Sequence, residues 1–256
     1  MNTSTSTNEY SKKYKLDQIY SANKCKFKGL YFLSPLEMSK EEWKNILDNI
    51  EVKYKILSFI RHGEGIHNVA EKIHGKKLWE SKLALSEEYL DPGLTELGLQ
   101  QALDLRKNFN NNMPKPELII SSPLQRCLLT AENCLPSNYN DIKKIIIENF
   151  RERNGRHYCD KRHSLDFIEK NFPLWDLSYY KNRKNSNEDK LWTKDRETLL
   201  DLNNRANNLI EWLWKQKERN ILLSGHCGII RECYANLGQY KKLKNCELSS
   251  IIVIEK

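Results

Sequence analysis

The chain has 256 residues, enough for one sizeable α/β domain whose core needs neither disulfides nor a structural metal. Its 42 Lys and Arg against 34 Asp and Glu give +8, a balance that favours anionic partners such as phosphorylated metabolites, nucleic acid or acidic membrane surfaces, and that a solvated surface also explains. Seven cysteines without a CxxC pair or zinc spacing, an N-terminus without an apolar signal core and no run of membrane-spanning length together predict reduced thiols in a soluble, cytoplasmic protein.

Residues 1–12 are rich in Ser, Thr and Asn with no apolar period and are expected to be disordered, leaving 13–256 as a single domain. Between Phe27 and Ile50 lies a more ordered lead-in, where Ser39 and Glu42 form a capping-box pattern. Short apolar runs then alternate with segments of helical period. "YKILSFI" (54–60) reads as a strand, followed by a helix over 94–109 capped by Thr95, with Leu97, Ala102 and Leu105 on one face. "ELIIS" (117–121) is a strand, 123–135 a helix with proline in its first turn, and "KKIIIENF" (143–150) a third strand. Residues 155–195 are polar and weakly periodic, and are expected to form a lid-like insertion over one end of the sheet. A helix over 196–217, a strand over 220–225, a helix over 228–238 ended by Gly238 and a strand over 248–255 complete the chain. The alternation predicts a three-layer α-β-α sandwich with a mainly parallel central sheet.

In such a sheet ligands bind at the carboxyl ends of the strands. There the chain places "RHG" (61–63), "SSPLQR" (121–126), "RER" (151–153) and "GHCG" (225–228). Two histidines, several arginines and a glutamate thus converge on one edge. Arginine forks and helix N-termini hold phosphoryl oxygens, a neutral imidazole can attack phosphorus, and a carboxylic acid can protonate the leaving oxygen.

These motifs, with "RHGEGIHNV", "DPGLTELGLQQA" (91–102) and "RERNGRHYCDKR", resemble the histidine phosphatase superfamily in its phosphoglycerate mutase-like branch, over about residues 55 to 254. The resemblance implies that His62 becomes phosphohistidine, that Arg61, Arg126 and His226 form the phosphate pocket with Asn68 as a neutral donor, and that Glu152 is the general acid. His226 also reads as a buried structural histidine, Arg126 as an ion-pairing residue, and Glu64 and Asn68 as turn residues. Glu148 is a rival to Glu152, but it lies inside the third apolar run, where alternation points it across the sheet. Glycines on both sides of His226 and Cys227 would allow close approach of a ligand. His67, His74, His157 and His163 lack supporting context. Trp212 and Trp214 read as core. The basic cluster Arg151, Arg153, Arg156, Lys161 and Arg162 borders the site, and Arg153 and Arg162 are offered as substrate-binding groups.

Mutases of this family that use a bisphosphoglycerate cofactor carry a serine where this chain has Gly65, and a differently spaced stretch after the acid, so the departures favour a metal-independent phosphomonoesterase acting on a phosphorylated small molecule or phosphoprotein. The resemblance also admits a phosphoglycerate mutase primed by 2,3-bisphosphoglycerate. A binding module for phosphoproteins, phospholipids or RNA is a third reading, disfavoured by the presence of both histidines and Glu152 and the lack of any nucleic-acid-binding signature. Catalysis through neutral His62 and protonated Glu152 predicts a bell-shaped pH profile with an acidic-to-neutral optimum.

Overall fold

Between its half-buried ends, β2 (Tyr54–Arg61) is buried along its whole length, as a central strand covered by helices on both faces must be. In the computed structural model, which describes residues 25–109, 113–181 and 187–256, β2 sits inside a six-stranded sheet. The other strands are β1 (Phe27–Leu33), β3 (Leu118–Ser121), β4 (Lys143–Ile146), β5 (Asn220–Gly225) and β6 (Leu248–Glu255), in the order β1-β6-β2-β5-β3-β4. The expected disordered stretch 1–12 lies outside the described residues.

Alternation along the strands splits the core in two. Leu57, Phe59, Ile120 and Leu223 face a layer containing α5 (Leu199–Lys215) and α6 (Cys227–Asn236). Ile56, Ile60, Ile119 and Leu222 face the opposite layer, which holds α1 (Lys40–Asp48), α3 (Glu96–Asn108) and α4 (Gln125–Cys134). The capping box expected at Ser39 is present: Glu42 N–H donates to Ser39 Oγ and Ser39 N–H to Glu42 Oε2. Trp212 and Trp214 pack against the first core, as their place on the long helix predicts.

The sheet is parallel where β2, β5, β3 and β4 adjoin, and antiparallel where β6 pairs with β2 and β1 pairs with β6. β1 was legible only as an ordered lead-in. The third strand ends at Ile146, four residues short of the expected limit, and Glu148–Phe150 form a 3₁₀ turn. The reason is the carboxylate of Glu148, which ion-pairs with Arg151 and Arg162 instead of crossing the sheet. On α3 the buried stripe is Gly98, Ala102 and Leu105, while Leu97 is exposed. The spacing of four and three is helical, but it begins one residue later than the apolar pattern implies. α2 (Ile66–Ser81) is an addition: it is kinked at Gly75 and buries only Ala70 and Trp79, too little to leave an apolar period.

The 155–195 stretch divides its contacts. Its middle lines the edge of β4, with Asp176 N–H donating to Lys144 O at 2.8 Å and Ile146 N–H to Asp176 O at 3.2 Å. Its two ends, around Tyr158–Asp160 and Thr193–Arg196, come together beside the carboxyl edge of the parallel strands, where Arg156 N–H donates to Thr193 O at 2.7 Å. No described helix is long and apolar enough to cross a membrane.

Candidate active site

Because β2, β5, β3 and β4 run parallel and adjacent, their carboxyl ends share one edge, and the segments that follow them close a cavity of about 200 Å³. Its walls include Arg61, His62, Asn68, Arg126 and Glu152, together with His67, Asp160 and Arg196. The backbone at the mouth is held by the strands themselves: His62 N–H donates to Gly225 O at 2.9 Å and Ser122 N–H to Ser224 O at 3.1 Å. Gly63 then crosses Gly98 of α3 so closely that a Cβ on Gly63 would lie 2.5 Å from Gly98 O, and one on Gly98 only 2.1 Å from Glu64 O. Two glycines are required because the loop after β2 must touch helix backbone to aim His62 inward.

His62 is 3% exposed. Its Nδ1 lies 2.7 Å from Gly63 O, a carbonyl that can only accept, so Nδ1 carries the proton and Nε2 keeps its lone pair. Burial, reinforced by the positive charge of Arg126, holds this imidazole well below the ordinary histidine range and therefore neutral. A neutral ring with a fixed tautomer is the form a nucleophile needs.

Arg126, in the first turn of α4 as expected, is held from two sides. Its Nη1 donates to Cys159 O, its Nη2 to Asp160 Oδ1 at 2.9 Å, and Nη2 also reaches His226 Nδ1 at 3.2 Å. The other Asp160 oxygen accepts from Arg196 Nη1 at 2.7 Å. Burial alone would raise the carboxyl of Asp160, but Arg196 and Arg126 hold it below the usual carboxylate range. The buried Nε atoms of Arg61 and Arg126 have no hydrogen-bond partner among the described residues. Unmatched donors on two guanidinium groups beside a neutral imidazole make the cavity a receptor for an oxyanion.

His226 follows β5 and packs against both His62 and Arg126. It is fully buried and stands behind the cavity wall, its ring edge-on to His62 at 5.2 Å between centroids. Since Arg126 can only donate, Nδ1 is the acceptor, and Nε2, which lies 2.8 Å from Ser122 Oγ, carries the proton. Burial, followed by the charge of Arg126, keeps this ring neutral as well. In this arrangement His226 adjoins both the nucleophile and the arginine.

Glu152 lies on the cavity, with Oε2 accepting from Gly228 N–H and Oε1 from Arg153 N–H, each at 2.9 Å. A Cβ at Gly228 would sit 1.9 Å from Glu152 Oε1. The glycine after Cys227 therefore makes room for the protein's own carboxylate and not for a ligand. Glu148, the rival, is buried between Arg151 and Arg162.

Asn68 is on the wall as expected, and its amide orientation follows from its partners. Oδ1 accepts from Gly65 N–H at 3.0 Å, so Nδ2 faces His67 Nε2, also at 3.0 Å. Arg162 does not reach the cavity: its Nε donates to Glu148 Oε1 at 2.8 Å and its remaining nitrogens to backbone carbonyls of His163, Asn187 and Glu188. The expectation that it binds substrate is corrected, because burial demands that its fork be satisfied internally. Arg153 borders an adjoining cleft.

Asp160, Arg196, His67 and His157 were not expected on the cavity. Asp160 stands within "CDKR", whose composition offered a signal. Arg196 had none, since nothing local distinguishes it from the other charged residues around the end of the insertion. His157, Cys159 and Asp160 bring ligand atoms within 4.8 Å of one another, but both Asp160 oxygens are engaged by guanidinium groups and His157 Nε2 by Glu80 at 3.0 Å. Those donors do not form a free ligand set.

The profile of the histidine phosphatase superfamily (branch 1) matches residues 57–253. A phosphoglycerate mutase-like protein of Arabidopsis thaliana is 33% identical, the match covering 79% of this chain and 82% of that one. A probable phosphoglycerate mutase of Saccharomyces cerevisiae is 31% identical over 78% of each. Among solved structures, a putative α-ribazole-5'-phosphate phosphatase of Escherichia coli superposes with a TM-score of 0.52 at 20% identity, covering 79% of this chain and 94% of that one, which is a likeness of fold.

Proposed function

The chain belongs to the histidine phosphatase superfamily, and from that premise we propose that it hydrolyses phosphomonoesters through a phosphohistidine on His62. One observation carries the reading: the proton of His62 is tied to Gly63 O, which leaves Nε2 as the lone-pair nitrogen of a ring on an arginine-lined cavity. In the first step that lone pair attacks phosphorus, the bond from phosphorus to the leaving oxygen breaks, and the Glu152 carboxylic acid gives its proton to that oxygen. In the second, the Glu152 carboxylate takes a proton from water, whose oxygen attacks phosphorus and releases His62. Arg61 and Arg126 bear the charge on the equatorial oxygens in both steps. No resident cofactor or metal enters, and turnover is expected to survive EDTA.

The named relatives keep a mutase reading in view, with 2,3-bisphosphoglycerate as primer. The two readings differ in whether water or a second hydroxyl takes the phosphoryl group. Phosphorus NMR on protein given 3-phosphoglycerate with a trace of 2,3-bisphosphoglycerate separates them. Inorganic phosphate without 2-phosphoglycerate is the expected result. Rapid 2-phosphoglycerate with little free phosphate would establish the mutase instead.

A further inference from the structure

Asp91 opens the stretch "DPGLTELGLQQA" and is fully buried, yet no step of the reaction uses it. Its backbone stands in the left-handed region, at φ 38°, immediately before Pro92. An aspartate ahead of proline holds that conformation only where its surroundings impose it. We propose that Asp91 is a positioning residue for Arg126, riveting the start of α4 to the turn that carries the acceptors of the Arg126 guanidinium. The proposal rests on the phosphatase reading of the cavity.

Two sets of bonds meet at Asp91. Toward α4, its Oδ1 accepts from Gln125 N–H at 3.0 Å and its carbonyl accepts from Gln125 Nε2. Toward the insertion, its N–H donates to Tyr158 O at 3.3 Å and its Oδ2 accepts from His163 N–H at 3.4 Å. Gln125 directly precedes Arg126, while Tyr158 and His163 bracket Cys159 and Asp160, whose carbonyl and carboxylate hold the guanidinium. One residue therefore fixes both the root of the arginine and the groups that aim its fork. A misplaced fork stabilises the transferring phosphoryl group less, so the rivet is felt in turnover.

Charge on Asp91 matters because an ionised acceptor draws its N–H donors more strongly than a neutral one. The charged and titratable groups around it are Arg126 and Cys127 on α4 and Arg151 after β4. Both arginines are paired with other carboxylates, Arg126 with Asp160 and Arg151 with Glu148 and Asp189. The His163 imidazole stacks on Phe167, and the Tyr158 hydroxyl donates to Glu87. Burial, opposed first by the charge of Arg126, accordingly pushes the Asp91 carboxyl up to about 7. Above that pH the carboxylate is ionised and the rivet is tight. Protonation loosens it as pH falls through that value.

The test is steady-state hydrolysis of p-nitrophenyl phosphate by the full chain across neutral pH. Asp91→Asn keeps the shape and removes the charge. It should lower kcat/KM about tenfold at about pH 8.5 and less than about twofold at about pH 5.5, where wild-type Asp91 is itself protonated. In an Arg126→Ala background the same substitution should cost nothing further, since its effect passes through that guanidinium. Gln125→Ala releases the Asp91 carbonyl from α4 and serves if Asp91→Asn does not fold. It should lower kcat/KM about threefold, again only while Arg126 is present. An Asp91→Asn loss that is absent or equal at every pH, or a loss from either variant that persists in the Arg126→Ala background, would overturn the proposal and leave the phosphatase reading intact. A wild-type chain that turns over no phosphomonoester would overturn both.

Discussion

Two buried clusters of arginine and carboxylate lie on either side of Glu152, and they do opposite things with the same residue types. In the first, Arg151 and Arg162 meet Glu148 and Asp189, two cations against two anions, with Arg151 Nη2 2.6 Å from Asp189 Oδ2 and Arg162 Nε 2.8 Å from Glu148 Oε1. That cluster is balanced in charge, although the buried Nε of Arg151 has no hydrogen-bond partner among the described residues, and it ties the turn after β4 to both flanks of the insertion. In the second, Arg126 and Arg196 share the single carboxylate of Asp160, and Arg61 has a backbone carbonyl as its partner. Within the cluster itself the surplus is positive, and it borders a cavity on whose walls Glu71, Glu80 and Glu152 also stand. Stoichiometry separates a structural lock from an anion receptor, because a balanced buried cluster has no net charge left to offer a ligand, whereas an unbalanced one is stabilised by binding it.

The contrast can be broken in several ways. The largest effect belongs to the receptor: His62→Ala should lower kcat by at least about 1,000-fold with little change in melting temperature, read by steady-state kinetics and calorimetry. Next comes the lock, where Glu148→Gln leaves Arg151 and Arg162 sharing one anion and should cost about 3–5 kcal/mol of stability in urea unfolding. A smaller loss there than in a surface-pair control such as Lys115→Ala would mean that the lock is ornamental.

Asp160→Asn sharpens the distinction. It frees Arg126 and Arg196 from their common anchor while making the cavity more positive. Turnover is expected to fall about 10- to 100-fold as the fork of Arg126 loses its alignment, while inorganic phosphate inhibits at lower concentration. A purely structural carboxylate would show neither the split nor its sign.

The gentlest prediction concerns pH. His62, His67 and His226 are all held well below the ordinary histidine range, by burial first and then by Arg126. The unfolded chain therefore binds protons on these rings that the folded chain refuses. Their contribution to stability is complete above the unfolded value near 6.5 and is lost as pH falls below it, by about 0.8 kcal/mol for each ring between pH 7.5 and pH 6. Urea midpoints that stay level over that interval would show that the rings charge in place.

Much of this protein was legible without coordinates. The caps at Ser39 and Thr95 and the helix-ending Gly238 are encoded within a few residues, and each is found where the pattern puts it, as are the apolar runs of β2, β3, β5 and β6. The rule that ligands gather at the carboxyl ends of parallel strands then brought Arg61, His62 and Glu152 to one place. The start of the α3 stripe, the short third strand and the diversion of Arg162 into the lock were decided only by tertiary structure. So was the arrival of Asp160 and Arg196. Arg126 meets Asp160 across 34 positions, and Asp160 meets Arg196 across 36. Hydrophobic period is a local property, written along the chain itself. Neutralisation of a buried charge is settled by whichever partner the fold carries within hydrogen-bond reach, and the chain order of Arg, Asp and Glu does not say which that will be.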